Sequence, residues 1–323
     1  MSRRAATAGR PRGRWSGWLL RAGLGAALLA ALLGSGRLDP SALASVRPGP
    51  WLAVLGAACF LALALNSLRW ACLARAAGIP IAGATAVRVA LASNVFLFVS
   101  PAGTGADAAR VLHLVRAEGE RTGRALALGI VDRLIGVQTL LAVAAAVGVA
   151  AALGRPALWG AAAGLGAAAI GATLVVSGIA LPATRRLCLR LLPTPWRERL
   201  QAAAVPWHPA WVAGVLGLSL AGAAANLALP VLGLAALGHP TGGPQALFGS
   251  AMVVLVNTVA PTPGGLGAGE AAASAMLQGA RGASAMLLAR VLLVAWSLAL
   301  GAGYLAHGSR EVEPKEAGRG AVA

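Results

Sequence analysis

The chain has 323 residues, of which 58% are hydrophobic and 11% charged, and its mean hydropathy is +0.75. This composition excludes an ordinary soluble domain, because several apolar runs reach the roughly 20 residues that cross a bilayer. The formal net charge is +17, but the arginines cluster between the apolar runs, which favours orientation by the positive-inside rule over nucleic-acid binding.

The first half of the chain contains a basic arm, three predicted spans and one interrupted apolar run. Residues 1–14 are polar and rich in arginine, and they are predicted to be a disordered arm. The predicted membrane spans are 18–35, 51–68 and 125–153. A cleaved signal peptide is the alternative for the first run, which is rather long for one. Before the third span, residues 89–100 form a short apolar run that Pro101 interrupts, and residues 108–124 predict an amphipathic helix.

The second half repeats this order of elements. Its predicted spans are 156–181, 211–237 and 283–306. Asn226 and Pro230 within the second of these predict a kink. The short apolar run is 247–260, which Pro261 ends, and a polar tail of residues 307–323 closes the chain. The membrane domain is therefore predicted to be 15–306, with two pseudo-repeats at 15–153 and 156–306.

Two similar passages end the two interrupted runs. Each has an asparagine, then proline, then glycines and one carboxylate, in residues 94–107 and 257–270. Each is followed by a long apolar helix that carries an arginine, Arg133 in the first case and Arg290 in the second. Matching breaks by proline and glycine in two halves of a membrane chain are typical of a transporter's binding site.

The charge distribution orients the predicted spans. Residues 1–14 and 185–199 are strongly basic, so both are predicted to be cytoplasmic. If both short runs are re-entrant hairpins, each half has three full spans and the two halves have opposite topology, as in many secondary transporters. The prediction is an all-α, polytopic membrane protein with six spans, two re-entrant half-helix hairpins and an inverted repeat. Eight full spans are the alternative.

Four ionisable side chains lie within or beside apolar segments, namely Asp132, Arg133, Glu270 and Arg290. A charge at bilayer depth costs at least ~2.5–3.5 kcal/mol, so each should be paired or should line water. One interpretation is a structural salt bridge, such as Asp132–Arg290 or Glu270–Arg133. The other is a polar cavity for a lipid headgroup, in which the two arginines bind phosphate bidentately.

The second glycine loop has a predicted backbone role. The prolines at 261 and 263 end the preceding helix, and three glycines can take positive φ and expose N–H groups, namely Gly264, Gly265 and Gly267. The helix from Ala268 onward would then point its positive N-terminus into the protein, which suits an anion. Glu270 as the cap of that helix, and a tight loop without a ligand, remain alternatives.

Four further polar residues accompany the hairpins. Asp107 and Arg110 are three residues apart and share a helix face, which predicts a surface ion pair or, alternatively, a headgroup contact. Asn94 and Asn257 are predicted to satisfy backbone groups that the broken helices free. The two hairpin tips are expected to meet in one polar cavity between the halves, open sideways to lipid.

These residues resemble a known family. The pattern around Asp107 and Arg110, the pair Asp132-Arg133, and the sequence Pro-Thr-Pro-Gly-Gly-Leu-Gly at 261–267 with the following glutamate resemble the lysylphosphatidylglycerol synthase transmembrane-region family, also called flippase-like. The similarity covers about residues 15–306. The first motif departs from the usual adjacent glycines, because Thr104 separates two of them. Members that make aminoacylated lipids carry a soluble transferase domain, and residues 307–323 are too few to form one.

The resemblance implies a flippase-like transporter of an anionic phospholipid or lipid-linked intermediate, multi-pass in a bacterial inner membrane with a cytoplasmic N-terminus. The alternatives are a membrane partner that recruits a soluble glycosyltransferase or aminoacyltransferase, and an integral-membrane lipid enzyme. The enzyme is disfavoured because the sequence contains no evident nucleophile or metal cluster. Anionic lipids are the expected partners, with no cofactor, metal or nucleic acid. The predicted substrate-binding residues are Asp107, Arg110, Asp132, Arg133, Asn257, Pro261, Gly264, Gly265, Gly267, Glu270 and Arg290.

Overall fold

A computed structural model describes most of the chain between residues 26 and 308. The described residues are 26–27, 29–34, 36, 41, 46, 48–98, 100, 103–116, 119–120, 122–180 and 209–308. Regular structure in these residues is helical. The predicted arm at 1–14, the basic loop at 185–199, and most of the predicted first span and of the polar tail lie outside the described residues.

The helices from Pro50 onward are numbered here in chain order. They are α1 Pro50–Ala76, α2 Gly83–Ser93, α3 Thr104–Arg116, α4 Thr122–Gly154, α5 Trp159–Ala180, α6 Pro209–Ala236, α7 Gly243–Val259, α8 Ala268–Met276 and α9 Ala280–Gly308. Two 3₁₀ turns, Asn94–Phe98 and Pro156–Leu158, precede α3 and α5.

Five of the described helices are long and apolar enough to cross a membrane, and they are α1, α4, α5 with its 3₁₀ turn, α6 and α9. They confirm the polytopic helical membrane fold and the positions of five predicted spans. The shorter apolar helices, Gly83–Phe98 and Gly243–Val259, fall where the interrupted runs were predicted. The predicted helix at 108–124 is corrected, since α3 ends at Arg116 and α4 begins at Thr122.

The end of α1 also differs from the sequence prediction, which placed Arg69 after the span. The helix continues for two more turns because no glycine or proline interrupts it before Gly78. Gly78 takes a φ of 66°, and the N–H of Ile79 donates to the carbonyl of Ala74 at 3.1 Å. This left-handed glycine termination ends the helix and leaves Arg69 inside it.

The same termination recurs at the end of α6. Gly238 takes a φ of 81°, and the N–H of His239 donates to the carbonyl of Leu234 at 2.9 Å. In each half a proline follows two residues after the glycine, and a short helix begins five residues after it, at Gly83 or Gly243. The two halves therefore share local structure as well as composition.

The two broken hairpins follow these connections. α7 ends at Val259, and the following Ala260 has the extended backbone (φ −60°, ψ 135°) that is favoured before a proline. Gly264, Gly265 and Gly267 have φ values of 55°, 73° and 79°, which confirms the left-handed backbone predicted there. In each hairpin a carboxylate follows the asparagine by thirteen residues.

The apolar core holds the two halves together. One cluster, around Trp70, Leu73 and Leu114, contains residues of α1, α2, α3 and α4 and one residue of α6. Another cluster, around Leu229 and Leu288, joins α1, α6 and α9. The most extensive helix packing is between α1 of the first half and α6 of the second. The two halves are therefore packed directly against each other, with the hairpins beside this seam.

Candidate functional site

A polar cavity of about 250 Å³ lies where the two halves meet. Six helices and both hairpin loops contribute to its lining. The helices are α1, α3, α4, α6, α7 and α9. The charged residues that line it are Arg69, Asp107, Arg110, Asp132, Arg133 and Arg290. This is the cavity that the matched proline and glycine breaks predicted.

Arg290 organises the second-half side of the cavity. Its Nε lies 2.6 Å from Glu270 Oε1, and its Nη2 donates to Asn257 Oδ1 at 3.0 Å. The same guanidinium donates to the carbonyls of Gly264 and Gly265. Since helix and turn ends leave carbonyls without intrahelical partners, Arg290 both neutralises a buried carboxylate and holds the glycine loop in place.

Glu270 is fully enclosed, with 0% of its side chain exposed. Its second carboxylate oxygen accepts a hydrogen bond of 2.7 Å from the N–H of Gly267, which precedes α8. The glutamate therefore caps the N-terminus of α8, which was one of the two alternatives considered for this loop in the sequence analysis.

On the first-half side, five charged residues alternate in sign. Arg69 Nε lies 2.8 Å from Asp132 Oδ1, and Arg110 Nη1 lies 3.9 Å from Asp132 Oδ2 and 3.7 Å from Asp107 Oδ1. Arg133 Nε lies 3.5 Å from Asp107 Oδ2. This charge chain links α1, α4 and α3 and ends at the most exposed member, Arg133, whose side chain is 34% exposed.

Arg110 anchors α3 to the end of α2. Its Nε donates to Ser93 Oγ at 2.8 Å, and its Nη2 donates to Asn94 Oδ1 at 3.1 Å and to the carbonyl of Ala90 at 3.4 Å. The guanidinium also lies 5.8 Å from the centre of the Trp70 ring. The predicted surface pair of Asp107 and Arg110 is therefore corrected, because Arg110 is buried, with 6% of its side chain exposed.

The two hairpin tips touch. The N–H of Gly264 donates to the carbonyl of Ser100 at 3.1 Å, and a Cβ at position 264 would lie 2.8 Å from Phe98 Cδ1. In the first tip, the N–H of Gly105 donates to the hydroxyl of Ser100. The approach of the tips agrees with the sequence prediction, and only a residue without a side chain fits at position 264.

The pairing of the charges was only partly predicted. The proposed pairs Asp132–Arg290 and Glu270–Arg133 are wrong. Arg290 pairs with Glu270, and Arg133 pairs with Asp107. The nearest cation to Asp132 is Arg69. The side-chain oxygens of Asn94 and Asn257 each accept a hydrogen bond from an arginine. The same arginines, rather than the asparagines, donate to the backbone carbonyls at the broken helix ends. The expectation that Arg290 faces the interior with a carboxylate partner is confirmed.

Most of the predicted binding residues come together in the cavity, and some do not. Those that line it are Asp107, Arg110, Asp132, Arg133, Asn257, Gly264 and Arg290. Gly265, Gly267 and Glu270 shape the loop behind it, while Pro261 lies exposed outside its lining. Six polar residues of the lining were not among the predicted binding residues, namely Asn66, Arg69, Asn94, Ser219, Asn226 and Thr258. The sequence signal for Asn66 and Asn226 was an amide side chain inside an otherwise apolar predicted span.

Four of the six charged side chains that line the cavity are arginines. Among the described residues, no group of three or more His, Cys, Asp or Glu is placed to hold a metal ion. A model of the family described as the lysylphosphatidylglycerol synthase TM region matches residues 18–301. No curated protein and no solved structure matches the chain.

Proposed function

The chain belongs to the lysylphosphatidylglycerol synthase TM-region family, and from that premise we propose that it is a flippase-like transporter. The family and the membrane helices support a lipid-related role in a membrane. The proposed substrate is an anionic phospholipid or an anionic lipid-linked intermediate. The observation that carries the proposal is the polar cavity that both broken hairpins line, since transporters built from repeats bind substrate between such hairpins.

The charge of the cavity favours an anion. Among the described residues, four arginines line it, and three carboxylates lie within salt-bridge reach of them. The cluster therefore carries one positive charge in excess, in an environment where an unbalanced charge is costly. A phosphodiester brings one negative charge and would balance it.

Arg133 is the arginine best placed to contact such an anion. Its side chain is 34% exposed, and that of its partner Asp107 is 25% exposed, whereas the side chains of Arg69, Arg110 and Arg290 are 6–10% exposed. A guanidinium offers a planar, bidentate donor set that matches a phosphate. Arg133 would hold the phosphate, and the three buried arginines would set the electrostatic potential around it.

The size of the cavity favours the headgroup alone. Its volume of about 250 Å³ is below the ~300–1,000 Å³ typical of pockets for drug-sized ligands. Acyl chains would therefore stay in the bilayer while the headgroup passes through the protein. This division is expected of a flippase, because only the polar part of the lipid is costly to move through hydrocarbon.

The proposal is tested in reconstituted vesicles that contain fluorescent phosphatidylglycerol, where a membrane-impermeant quencher reports the fraction of label in the outer leaflet. Arg133→Gln should slow lipid movement about tenfold or more, since a charge-assisted hydrogen bond is worth ~1.5–3 kcal/mol. The matched control is Thr139→Val on the same helix, because Thr139 is buried and its hydroxyl donates to the carbonyl of Ile135 within its own helix.

Folded Arg133→Gln protein that moves lipid at the parental rate would contradict the assignment of Arg133. Parental protein that moves no phosphatidylglycerol and no polyprenyl phosphate would contradict the transporter. Recruitment of a soluble lipid-modifying enzyme would then become the leading hypothesis.

A further inference from the structure

Asn66 and Asn226 occupy corresponding places in the two halves. Each lies twelve residues before the left-handed glycine that ends its helix, Gly78 for α1 and Gly238 for α6. Both asparagines line the polar cavity, on the seam where α1 packs against α6. They are therefore a pair of amides contributed once by each half of the molecule.

The orientation of both amides is fixed by the backbone. Asn66 Nδ2 donates to the carbonyl of Ala62 at 2.9 Å, and Asn226 Nδ2 donates to the carbonyl of Gly222 at 2.8 Å. Because a carbonyl only accepts hydrogen bonds, the nitrogen of each amide must face it and the oxygen must face away. Within the described part of the chain, no residue donates to either Oδ1.

The two amides meet at Gly222. A Cβ at position 222 would lie 3.3 Å from Asn66 Oδ1, and the carbonyl of the same residue holds Asn226. Arg69 follows Asn66 by three residues and so shares its face of α1. Both asparagines therefore line the same cavity as the arginine–aspartate chain, and Asn66 stands on the helix face that carries Arg69.

We infer that Asn66 and Asn226 form an acceptor pair that selects anionic phosphates whose alcohol portion carries hydrogen-bond donors, such as the hydroxyls of glycerol or of a sugar. The inference rests on the proposed function for its lipid context. A hydroxyl would satisfy the two oxygens when they are enclosed by a bound headgroup. An alkyl group of the same size would leave both oxygens desolvated without a donor, which weakens binding.

Two water-soluble probes isolate this effect in the purified full chain. Glycerol 3-phosphate and propyl phosphate carry the same phosphate and differ in two hydroxyls. Titration calorimetry should show that the parental protein binds glycerol 3-phosphate about tenfold more tightly than propyl phosphate. Asn66→Leu and Asn226→Leu should each reduce that preference about threefold to fivefold, and the double variant should abolish it.

The controls separate selection from general damage. The affinity for inorganic phosphate should stay within twofold of the parental value in both leucine variants, because the arginines are unchanged. Thr139→Val should keep the parental preference, since it also removes a polar group that donates to a carbonyl four residues earlier, but at a residue outside the cavity lining.

Equal affinities of the parental protein for the two probes, or no binding of glycerol 3-phosphate, would overturn the inference. An equal loss of affinity for both probes and for inorganic phosphate in the leucine variants would overturn it as well. Vesicle assays with phosphatidylglycerol and phosphatidylpropanol distinguish a failure of the selection from a failure of the proposed transport function. Equal movement of both lipids contradicts the selection alone, whereas a retained binding preference without movement of either lipid contradicts the transporter alone.

Discussion

Removing the charge of Glu270 while keeping its shape should destabilise the protein strongly. The carboxylate is fully enclosed, and it bonds Arg290 at 2.6 Å and the N–H of Gly267 at 2.7 Å. Glu270→Gln leaves Arg290 as a buried cation without a balancing charge. Breaking a buried pair by removing one partner costs about 3–5 kcal/mol.

The lower end of that range is expected here. Gln keeps one hydrogen-bond acceptor, and Arg290 keeps Asn257 and two loop carbonyls as partners. At about 2–4 °C per kcal/mol, a cost of about 3 kcal/mol lowers the midpoint of thermal unfolding by roughly 6–12 °C. The free energy of unfolding should be measured in mixed micelles titrated with a denaturing detergent.

A double variant separates the effect of the unbalanced charge from the loss of hydrogen bonds. In Glu270→Gln/Arg290→Met neither charge remains, so the penalty for an unbalanced cation disappears and only lost hydrogen bonds and packing are left. The double variant should therefore be more stable than the single variant Glu270→Gln. A single variant within 1 kcal/mol of the parental protein, or a double variant less stable than the single, would refute the reasoning.

Three further predictions concern the glycine loop, the topology and the charge chain. Gly265→Leu should stop lipid movement in the vesicle assay but still reach the membrane fraction, because a side chain at φ 73° is strained and meets the neighbouring asparagine; Gly160→Leu, with open space around it, should move lipid at the parental rate. In a background without native cysteines, Gly119→Cys and Gln278→Cys should react with an impermeant maleimide from opposite sides of the membrane, and labelling from one side would reject the inverted repeat. Asp132→Asn should lower the free energy of unfolding by about 3 kcal/mol, since two buried arginines bond that carboxylate; a change below 1 kcal/mol in the same detergent titration would show that other groups balance them.

Local features of the chain were readable from the sequence because their causes are local. Long apolar runs determine the spans, and the residue before Pro261 must be extended, so α7 ends where it was predicted to end. Positive φ at Gly265 follows from the same logic, because a tight loop between half-helices needs a backbone that residues with side chains rarely adopt.

The partners of the charged residues were not readable, because they depend on which helices pack together. Arg69 stands at the end of an apolar run, and the sequence gives no reason to place it beside Asp132, 63 residues later. Asn226 was interpreted only with Pro230 as part of a predicted kink; in the structure its amide nitrogen donates to the carbonyl of Gly222 and the residue lines the cavity. Only the assembled seam of α1 and α6 shows that it matches Asn66.

The sequence distances within the buried ion pairs bear on how the chain enters the bilayer during synthesis. Glu270 and Arg290 are 20 residues apart, so the last hairpin and the last span can leave the ribosome together as a nearly neutral unit. Arg69 must wait for Asp132, which is made 63 residues later. At about 5–20 residues per second, that interval lasts roughly 3–13 seconds. During it, a guanidinium that costs ~2.5–3.5 kcal/mol at bilayer depth has no carboxylate from α4, and we expect α1 to remain in the insertion machinery until α4 emerges.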